Sequence, residues 1–391
     1  MKRLFACIML LSCSLFVIPV YGNQPETVVT SAAPALDLSA KSAVVMEAGS
    51  GTILYEKEKD KELPPASVTK VMSLLLIFRE IDSGKLKLSD KVTVSEHAAS
   101  MGGSQVFLEP SEVQDVETLI KCVVVSSAND AVVALAEHIA GSEDAFVKRM
   151  NQEAKKLGMK HTTFKNACGL DADGHVTTAY DIALMSRELT TKHPDIFKYT
   201  KIWMDSFTHE TKKGTTEFEL SNTNKMIKQY NGCTGLKTGS TSTAKFCLSA
   251  TATRNGIDLI AVVMASDDSK TRIKDASALL DYGFSNCQVT EDVTTSKEIG
   301  KIPVEKGKKE TVSYPEKINT KITRIKSDGG KLKKEIKIKT VKAPVKKGQS
   351  VGKIIYKDGN KIAAETEIKA SENIGKMDYL SSLRRVAGEY F

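Results

Sequence analysis

One stretch limits the possible folds of this chain more than any other feature. It contains two prolines, a serine and a lysine, followed by a long apolar run. Residues 64–70 read Pro-Pro-Ala-Ser-Val-Thr-Lys, and residues 71–78 are apolar at every position but one. The prolines prevent a helix from extending backwards, whereas proline is tolerated in a first helical turn. The apolar run predicts a buried helix with Ser67 at its amino end and Lys70 one turn further on. Side chains three positions apart share a helix face, so the Lys70 amine can reach the Ser67 hydroxyl.

This pairing is chemically useful because a serine hydroxyl is a good nucleophile only beside a base. Lys70 can be that base, since burial and the positive end of a helix dipole both weaken its hold on its proton. Ser-x-x-Lys alone is nevertheless common by chance. On this tetrapeptide, a helix cap followed by a surface lysine is the commoner explanation.

Two further motifs change that balance. Ser127 and Asn129 form Ser-x-Asn after an apolar run, and Lys237, Thr238 and Gly239 form Lys-Thr-Gly. The chain therefore carries Ser-x-x-Lys, Ser-x-Asn and Lys-Thr-Gly in this order. Penicillin-binding proteins and class A β-lactamases carry such a set, with Ser-Asp-Asn as the middle motif.

On these motifs the sequence closely resembles the low-molecular-mass penicillin-binding proteins, the serine D-alanyl-D-alanine carboxypeptidases. The resemblance runs from about residue 43 to the C-terminus and includes Gly-Leu-Asp at 169–171, the apolar run 259–264 and a basic, β-rich tail. It implies hydrolysis of the terminal D-Ala-D-Ala bond of peptidoglycan stem peptides, with β-lactam antibiotics as inhibitors. It implies no metal, no organic cofactor and no nucleic-acid partner.

The residues themselves predict acyl transfer. Ser67 attacks a carbonyl, Lys70 accepts the hydroxyl proton, and Ser127 relays protons among Ser67, Lys70 and Lys237. Asn129 offers an amide that can hold the substrate backbone or Lys70.

The third motif and its surroundings should bind the substrate. The resemblance implies that the Lys-Thr-Gly strand pairs with the substrate, and Gly239 has no side chain to obstruct that approach. It also assigns the oxyanion site to the backbone N–H groups of Ser67 and Ser240. We expect the substrate carboxylate to be bound by Lys237, Thr238 or Arg272. Arg272 matches an arginine of the family, and a surface ion pair is the alternative explanation of this residue. Members of the family often carry histidine where this chain has Cys168 and Ser240.

The expected fold class is α+β. Two β-rich runs around a glycine-rich turn at 48–51 predict a hairpin, and Asn-Gly at 255–256 predicts a second one. Strands from both ends of the region with helices between them imply an antiparallel sheet covered by helices. The resemblance makes this the β-lactamase/DD-peptidase fold over residues 40–290, with the site between the sheet and a helical subdomain.

The termini carry separate signals. Residues 1–22 read as a secretory signal peptide and 23–39 as a polar linker, which predicts export to the outer face of the cytoplasmic membrane or the cell wall. Short alternating runs over 293–370 predict a small β-sandwich. An apolar stripe over 373–391 predicts an amphipathic helix on the membrane surface, although packing against the β domain would also explain it.

Charge is unevenly distributed. Residues 293–391 carry 24 basic and 12 acidic side chains, a net charge of +12, whereas the whole chain carries +8. A basic tail on a mildly acidic body predicts contact with an anionic membrane or wall polymer, and a merely soluble lysine-rich face is the alternative.

Three other functions share parts of this pattern. A class A β-lactamase also carries the motifs, but its Glu-x-x-Leu-Asn has only an imperfect match at 217–221, and the basic tail has no place there. An endopeptidase or transpeptidase differs only in the bond cleaved or in the acyl acceptor. A non-catalytic wall-binding protein on the same fold is disfavoured by the intact motifs.

Overall fold

The protein is described here by a computed structural model covering residues 36–326, 331–359 and 361–379. The predicted signal peptide, the linker up to residue 35 and the predicted C-terminal helix from residue 380 onwards lie outside these ranges. None of the helices within them is long and apolar enough to cross a bilayer.

Strands occur in the first part of the chain and again around residue 240, with helices between them. They are β1 (Ser42–Glu47), β2 (Ile53–Lys57), β3 (Lys91–Thr93), β4 (Val113–Asp115), β5 (Met204–Thr211), β6 (Gly214–Ser221), β7 (Cys233–Thr241), β8 (Lys245–Arg254) and β9 (Ile257–Ser266). Five of them form an antiparallel sheet in the order β2-β1-β9-β8-β7, so the first and last strands of this region meet at the β1–β9 pair. Both predicted hairpins are confirmed, and Asn255 and Gly256 have the positive φ angles of a tight turn.

Ten helices accompany these strands in the described part of the chain. They are α1 (Lys70–Asp82), α2 (Glu96–Ala99), α3 (Val116–Val125), α4 (Asn129–Ala140), α5 (Glu143–Leu157), α6 (Ala179–Lys192), α7 (Phe197–Thr200), α8 (Met226–Gln229), α9 (Ser269–Asn286) and α10 (Ser296–Ile299). Several begin at a side-chain cap, including α6, where Thr178 accepts from the N–H of Asp181.

The sheet is covered on both faces, as its sequence implies. Strand β9 is buried along nearly its whole length. Alternate residues of β9 enter two different apolar clusters because successive side chains of a strand point to opposite faces. Ile260 and Val262 join the larger cluster with α1, α3 and α4, whereas Ala261 and Val263 join α9. The predicted antiparallel sheet covered by helices is confirmed.

A second set of strands follows α9 with its own apolar core. They are β10 (Cys287–Thr295), β11 (Val304–Glu305), β12 (Lys317–Ile325), β13 (Leu332–Ile338), β14 (Val341–Lys342), β15 (Ser350–Asp358) and β16 (Lys361–Lys369). They pair as β10-β12, β11-β14 and β13-β15-β16. The predicted β-rich tail is therefore present.

Both predicted edges of this tail need correction. Strand β10 begins at Cys287, directly after α9, so the predicted boundary at 293 falls inside a strand. At the other edge, Ile374 pairs with Val345 and Lys376 pairs with Gly307 in isolated bridges. The first residues of the predicted 373–391 helix are thus extended and belong to the β domain. The Ile374 side chain is buried in the core of that domain, which the helical spacing alone did not reveal.

Candidate active site

Ser67 and Lys70 meet at the start of α1, as the sequence predicts. Ser67 lies in a 3₁₀ turn, Ala66–Thr69, that leads into α1, and Lys70 is the first residue of that helix. The Lys70 Nζ lies 3.0 Å from Ser67 Oγ, 2.6 Å from Asn129 Oδ1 and 2.8 Å from the Cys168 carbonyl oxygen. Lys70 is completely buried. Burial lowers the pKa of its amine to about 8, although the nearby Cys168 and Asp130 oppose the shift.

The second motif joins α3 to α4. Asn129 is the first residue of α4 rather than part of the preceding turn. Its amide Nδ2 donates to the Gly102 carbonyl at 2.6 Å and its backbone N–H donates to the Ser104 carbonyl at 2.7 Å. Asn129 thereby ties the loop 101–104 to the Lys70 amine.

Ser127 stands between the two helices with φ of +62°, a left-handed conformation that costs a non-glycine residue energy. Its Oγ is buried and has no hydrogen-bond partner among the described residues. The predicted hydrogen bonds of a proton relay are therefore not made in this structure. The hydroxyl stays available to a bound molecule.

The third motif lies in the middle of β7 rather than at its start, and β7 is an edge strand of the sheet. Lys237 is buried, and its Nζ donates to the Thr238 carbonyl at 3.2 Å. Burial and the neighbouring Lys70 and Arg272 hold the pKa of Lys237 well below its usual range. The Thr238 hydroxyl lies 2.7 Å from that of Thr223, a partner that the sequence did not reveal.

Gly239 is also needed for a reason that the sequence did not reveal. A Cβ at this position would lie 2.9 Å from the backbone nitrogens of both Ser67 and Val68. The strand therefore packs directly on the turn that carries Ser67, and a side chain would force the two apart. Ser240, the next residue, is exposed.

Arg272 projects from α9 towards the same strand. It is buried, and one of its terminal nitrogens donates to the Gly239 and Cys247 carbonyls, both at 3.2 Å. Its Nε is buried without a partner, and burial lowers its pKa. The alternative of a surface ion pair is wrong, because within the described ranges Arg272 is enclosed and bonds to carbonyl and hydroxyl oxygens.

Sequence reasoning missed the main-chain contacts of the site. The Cys168 and Gly102 carbonyls hold Lys70 and Asn129, and a carbonyl contact leaves no mark in the residue type. For the same reason, cysteine at 168 in place of histidine leaves the bond to Lys70 intact. One signal was available in Gly169, where a Cβ would lie 1.9 Å from the Ala66 carbonyl oxygen. Only glycine allows the 168–170 loop to pass so close to the Ser67 turn.

An antiparallel sheet, a helical subdomain and a serine beside a buried lysine define a serine-type hydrolase of the penicillin-binding class. The family profile described as D-alanyl-D-alanine carboxypeptidase matches residues 27–268, more than half of the chain. A second profile, described as the C-terminal domain of penicillin-binding protein 5, matches residues 290–376. The chain belongs to the D-alanyl-D-alanine carboxypeptidase family of low-molecular-mass penicillin-binding proteins.

Individual relatives agree with this assignment. The chain is 43% identical to the D-alanyl-D-alanine carboxypeptidase DacF of Bacillus subtilis, over 90% of each chain. It is 33% identical to DacC of Escherichia coli, over 88% of this chain and 86% of that one. Among solved structures, penicillin-binding protein 5 from Haemophilus influenzae matches with a TM-score of 0.70 and 30% identity, covering 88% of this chain and 100% of the other.

Proposed function

We propose that this enzyme removes the terminal D-alanine from peptidoglycan pentapeptides through an acyl-enzyme on Ser67. Ser67 Oγ attacks the carbonyl of the penultimate D-alanine while its proton passes to Lys70. The C–N bond then breaks, the leaving amine takes up a proton, and D-alanine departs. A water molecule next attacks the ester, which releases the shortened peptide and restores the Ser67 hydroxyl.

The observation that carries this proposal is the hydrogen bonding of the Lys70 amine. A neutral amine has two N–H groups and one lone pair. Asn129 Oδ1 and the Cys168 carbonyl can only accept, so they take the two N–H groups. The lone pair is then left for the third neighbour, the Ser67 hydroxyl at 3.0 Å. A base held in this way is oriented before the substrate binds.

The substrate lies against the free edge of β7 and is held there by backbone hydrogen bonds. Its terminal carboxylate binds near Lys237, Thr238 and Arg272, where the unpartnered Arg272 Nε and two buried cations favour an anion. The backbone N–H groups of Ser67 and Ser240 stabilise the oxyanion. Ser127 Oγ supplies the proton path to the leaving amine once the substrate occupies the site.

The same geometry accepts β-lactam antibiotics, whose strained amide presents an equivalent carbonyl to Ser67. Action on wall peptides requires a place outside the cytoplasm, in keeping with the predicted signal peptide. Membrane contact through the end of the chain stays a prediction, because residues 380–391 lie outside the described ranges.

The test is the intact mass of the purified mature protein over time after addition of a penicillin. We expect a long-lived adduct that is absent from Ser67→Ala, followed by D-alanine release from a free pentapeptide by the wild type. Ser266→Ala is a matched control, because Ser266 is a buried serine of the same sheet outside the proposed site. Rapid turnover of the drug would favour a β-lactamase, and the absence of any adduct would favour a non-catalytic binding protein.

A further inference from the structure

An aromatic groove lies beside the proposed active site and takes no part in the chemistry described so far. It is an open cavity of about 260 Å³ between the loop after α2 and the β5–β6 hairpin. Its lining includes Phe107, Glu109, His209, Lys213, Thr216 and Phe218. Its size is below the roughly 300–1,000 Å³ of pockets for drug-sized ligands, so it suits a single ring rather than a long chain.

Phe107 forms one wall of the groove, and its backbone is held there in a disfavoured conformation. Its φ is +61°, a true outlier for a bulky side chain, and 62% of the residue is exposed. The buried Asp130 carboxylate fixes this conformation by accepting the backbone N–H groups on both sides, those of Val106 and Leu108, at 3.1 Å. Strain held by a buried carboxylate to present an apolar ring to water indicates a functional role.

The floor and rim of the groove are also rigid. The Phe218 ring lies 6.0 Å from Phe107 and 5.6 Å from the buried His209. His209 Nδ1 lies 2.8 Å from the buried Glu112 carboxylate, which joins the hairpin to the loop that carries Phe107. At the rim, Lys213 and Glu109 form an exposed ion pair at 2.7 Å.

The groove lies near the nucleophile. Lys70 bonds both Ser67 and Asn129, and the Asn129 backbone bonds the Ser104 carbonyl. Phe107 follows Ser104 by three residues, which span at most roughly 11 Å. Three or four residues of an extended stem peptide cover roughly 10–14 Å. A stem peptide that runs from Ser67 towards Phe107 would bring the group to which it is attached to this groove.

We propose that this groove binds a pyranose ring of the glycan strand that carries the stem peptide. The inference rests on the proposed function, because it places the far end of that same substrate. A sugar ring has apolar C–H faces that suit the Phe107 and Phe218 rings. Its hydroxyl groups suit the polar rim, where Thr216, Lys213 and Glu109 offer donors and acceptors. A purely apolar occupant would leave that rim without partners.

The test compares kcat/KM for D-alanine release from a free pentapeptide and from the same pentapeptide carrying an N-acetylated disaccharide. One aromatic contact of this kind changes binding about two- to tenfold, so we expect the wild type to prefer the glycosylated substrate by that factor. Phe107→Ala should abolish the preference without changing kcat/KM for the free peptide, whereas Phe107→Tyr should keep it. Met204→Ala is the matched control, since Met204 is an exposed apolar residue at the opposite end of the hairpin.

Three results would overturn the inference. Equal kcat/KM for the two substrates in the wild type would mean that no sugar is recognised. An equal loss on both substrates in Phe107→Ala would mean that the ring contacts the peptide instead. D-alanine release from neither substrate would contradict the proposed function, and this inference with it. Because Phe107 is largely exposed, its substitution should leave the unfolding temperature unchanged, so a folding defect would not imitate the second result.

Discussion

The buried Lys70 amine makes the rate of acylation depend on pH in a calculable way. Only the neutral amine can accept the Ser67 proton. With a pKa of about 8, roughly one tenth of the amines are neutral at pH 7, whereas a lysine at its ordinary 10.5 would be neutral in about 3 molecules in 10,000. Burial therefore increases the reactive fraction at pH 7 about 300-fold.

The assay is the second-order rate of penicillin acylation from pH 6 to 9, followed by intact mass, with circular dichroism to verify that the fold is unchanged. The neutral fraction predicts an increase of about ninefold from pH 6 to 7, about fivefold from 7 to 8, and about twofold from 8 to 9. Lys70→Arg keeps the charge but cannot lose its proton, so its rate should fall about 10²- to 10⁴-fold at every pH.

Lys237 needs its own control, because its pKa is also lowered by burial. Lys237→Arg keeps a cation in the site and should retain the midpoint near pH 8, even if binding weakens. A rate that does not change between pH 6 and 9 would refute the reasoning. The reasoning would also be refuted if the midpoint of the pH–rate curve disappeared in Lys237→Arg and persisted in Lys70→Arg. Lys237 would then be the base.

Three further variants test the packing around the site. Asn129→Ala removes one acceptor from the buried Lys70 amine and the amide donor from the Gly102 carbonyl, so the free energy of unfolding in urea should fall by about 1–3 kcal/mol. Gly239→Ala forces the edge strand away from the Ser67 turn and should cost about 1–3 kcal/mol in stability and slow penicillin acylation. His175 is buried, which lowers its pKa to about 4, below that of the unfolded chain. The unfolded state thus binds more protons between pH 6.5 and 4, and the free energy of unfolding should fall by about 3 kcal/mol as pH drops through that window.

Each of these has a contradicting outcome. An unfolding curve for Asn129→Ala that overlays the wild type would mean that the amide bonds contribute nothing. Gly375→Ala is the control for Gly239→Ala, since its Cβ would meet only a lysine side chain at 3.9 Å; equal effects of the two changes would reject the packing argument. For His175, the variant His175→Gln should lose most of the acid-induced decrease, and an unchanged decrease would assign it to other groups.

The sequence by itself determined the elements with strong local signals. The apolar run after Ser67 and the Asn-Gly turn at 255–256 each act within a few residues, so the helix and the hairpin followed from them. The three motifs identified the family because nucleophile, base and substrate strand require particular side chains. The predicted helix over 373–391 starts too early, because Ile374 and Lys376 form bridges with the β domain, and its remainder from residue 380 onwards stays a prediction.

The tertiary structure alone decided how these elements meet. The pKa of Lys70 is lowered because segments about 60 and 100 residues away in the sequence bury its amine. These segments also supply two of its hydrogen-bond partners, the Asn129 side-chain amide and the Cys168 backbone carbonyl. The role of Gly239, the enclosure of Arg272 and the strained backbone of Phe107 have the same origin. Local sequence patterns depend on the nearest few residues. A pKa, a close backbone approach or a groove depends on contacts with residues that are distant in the sequence.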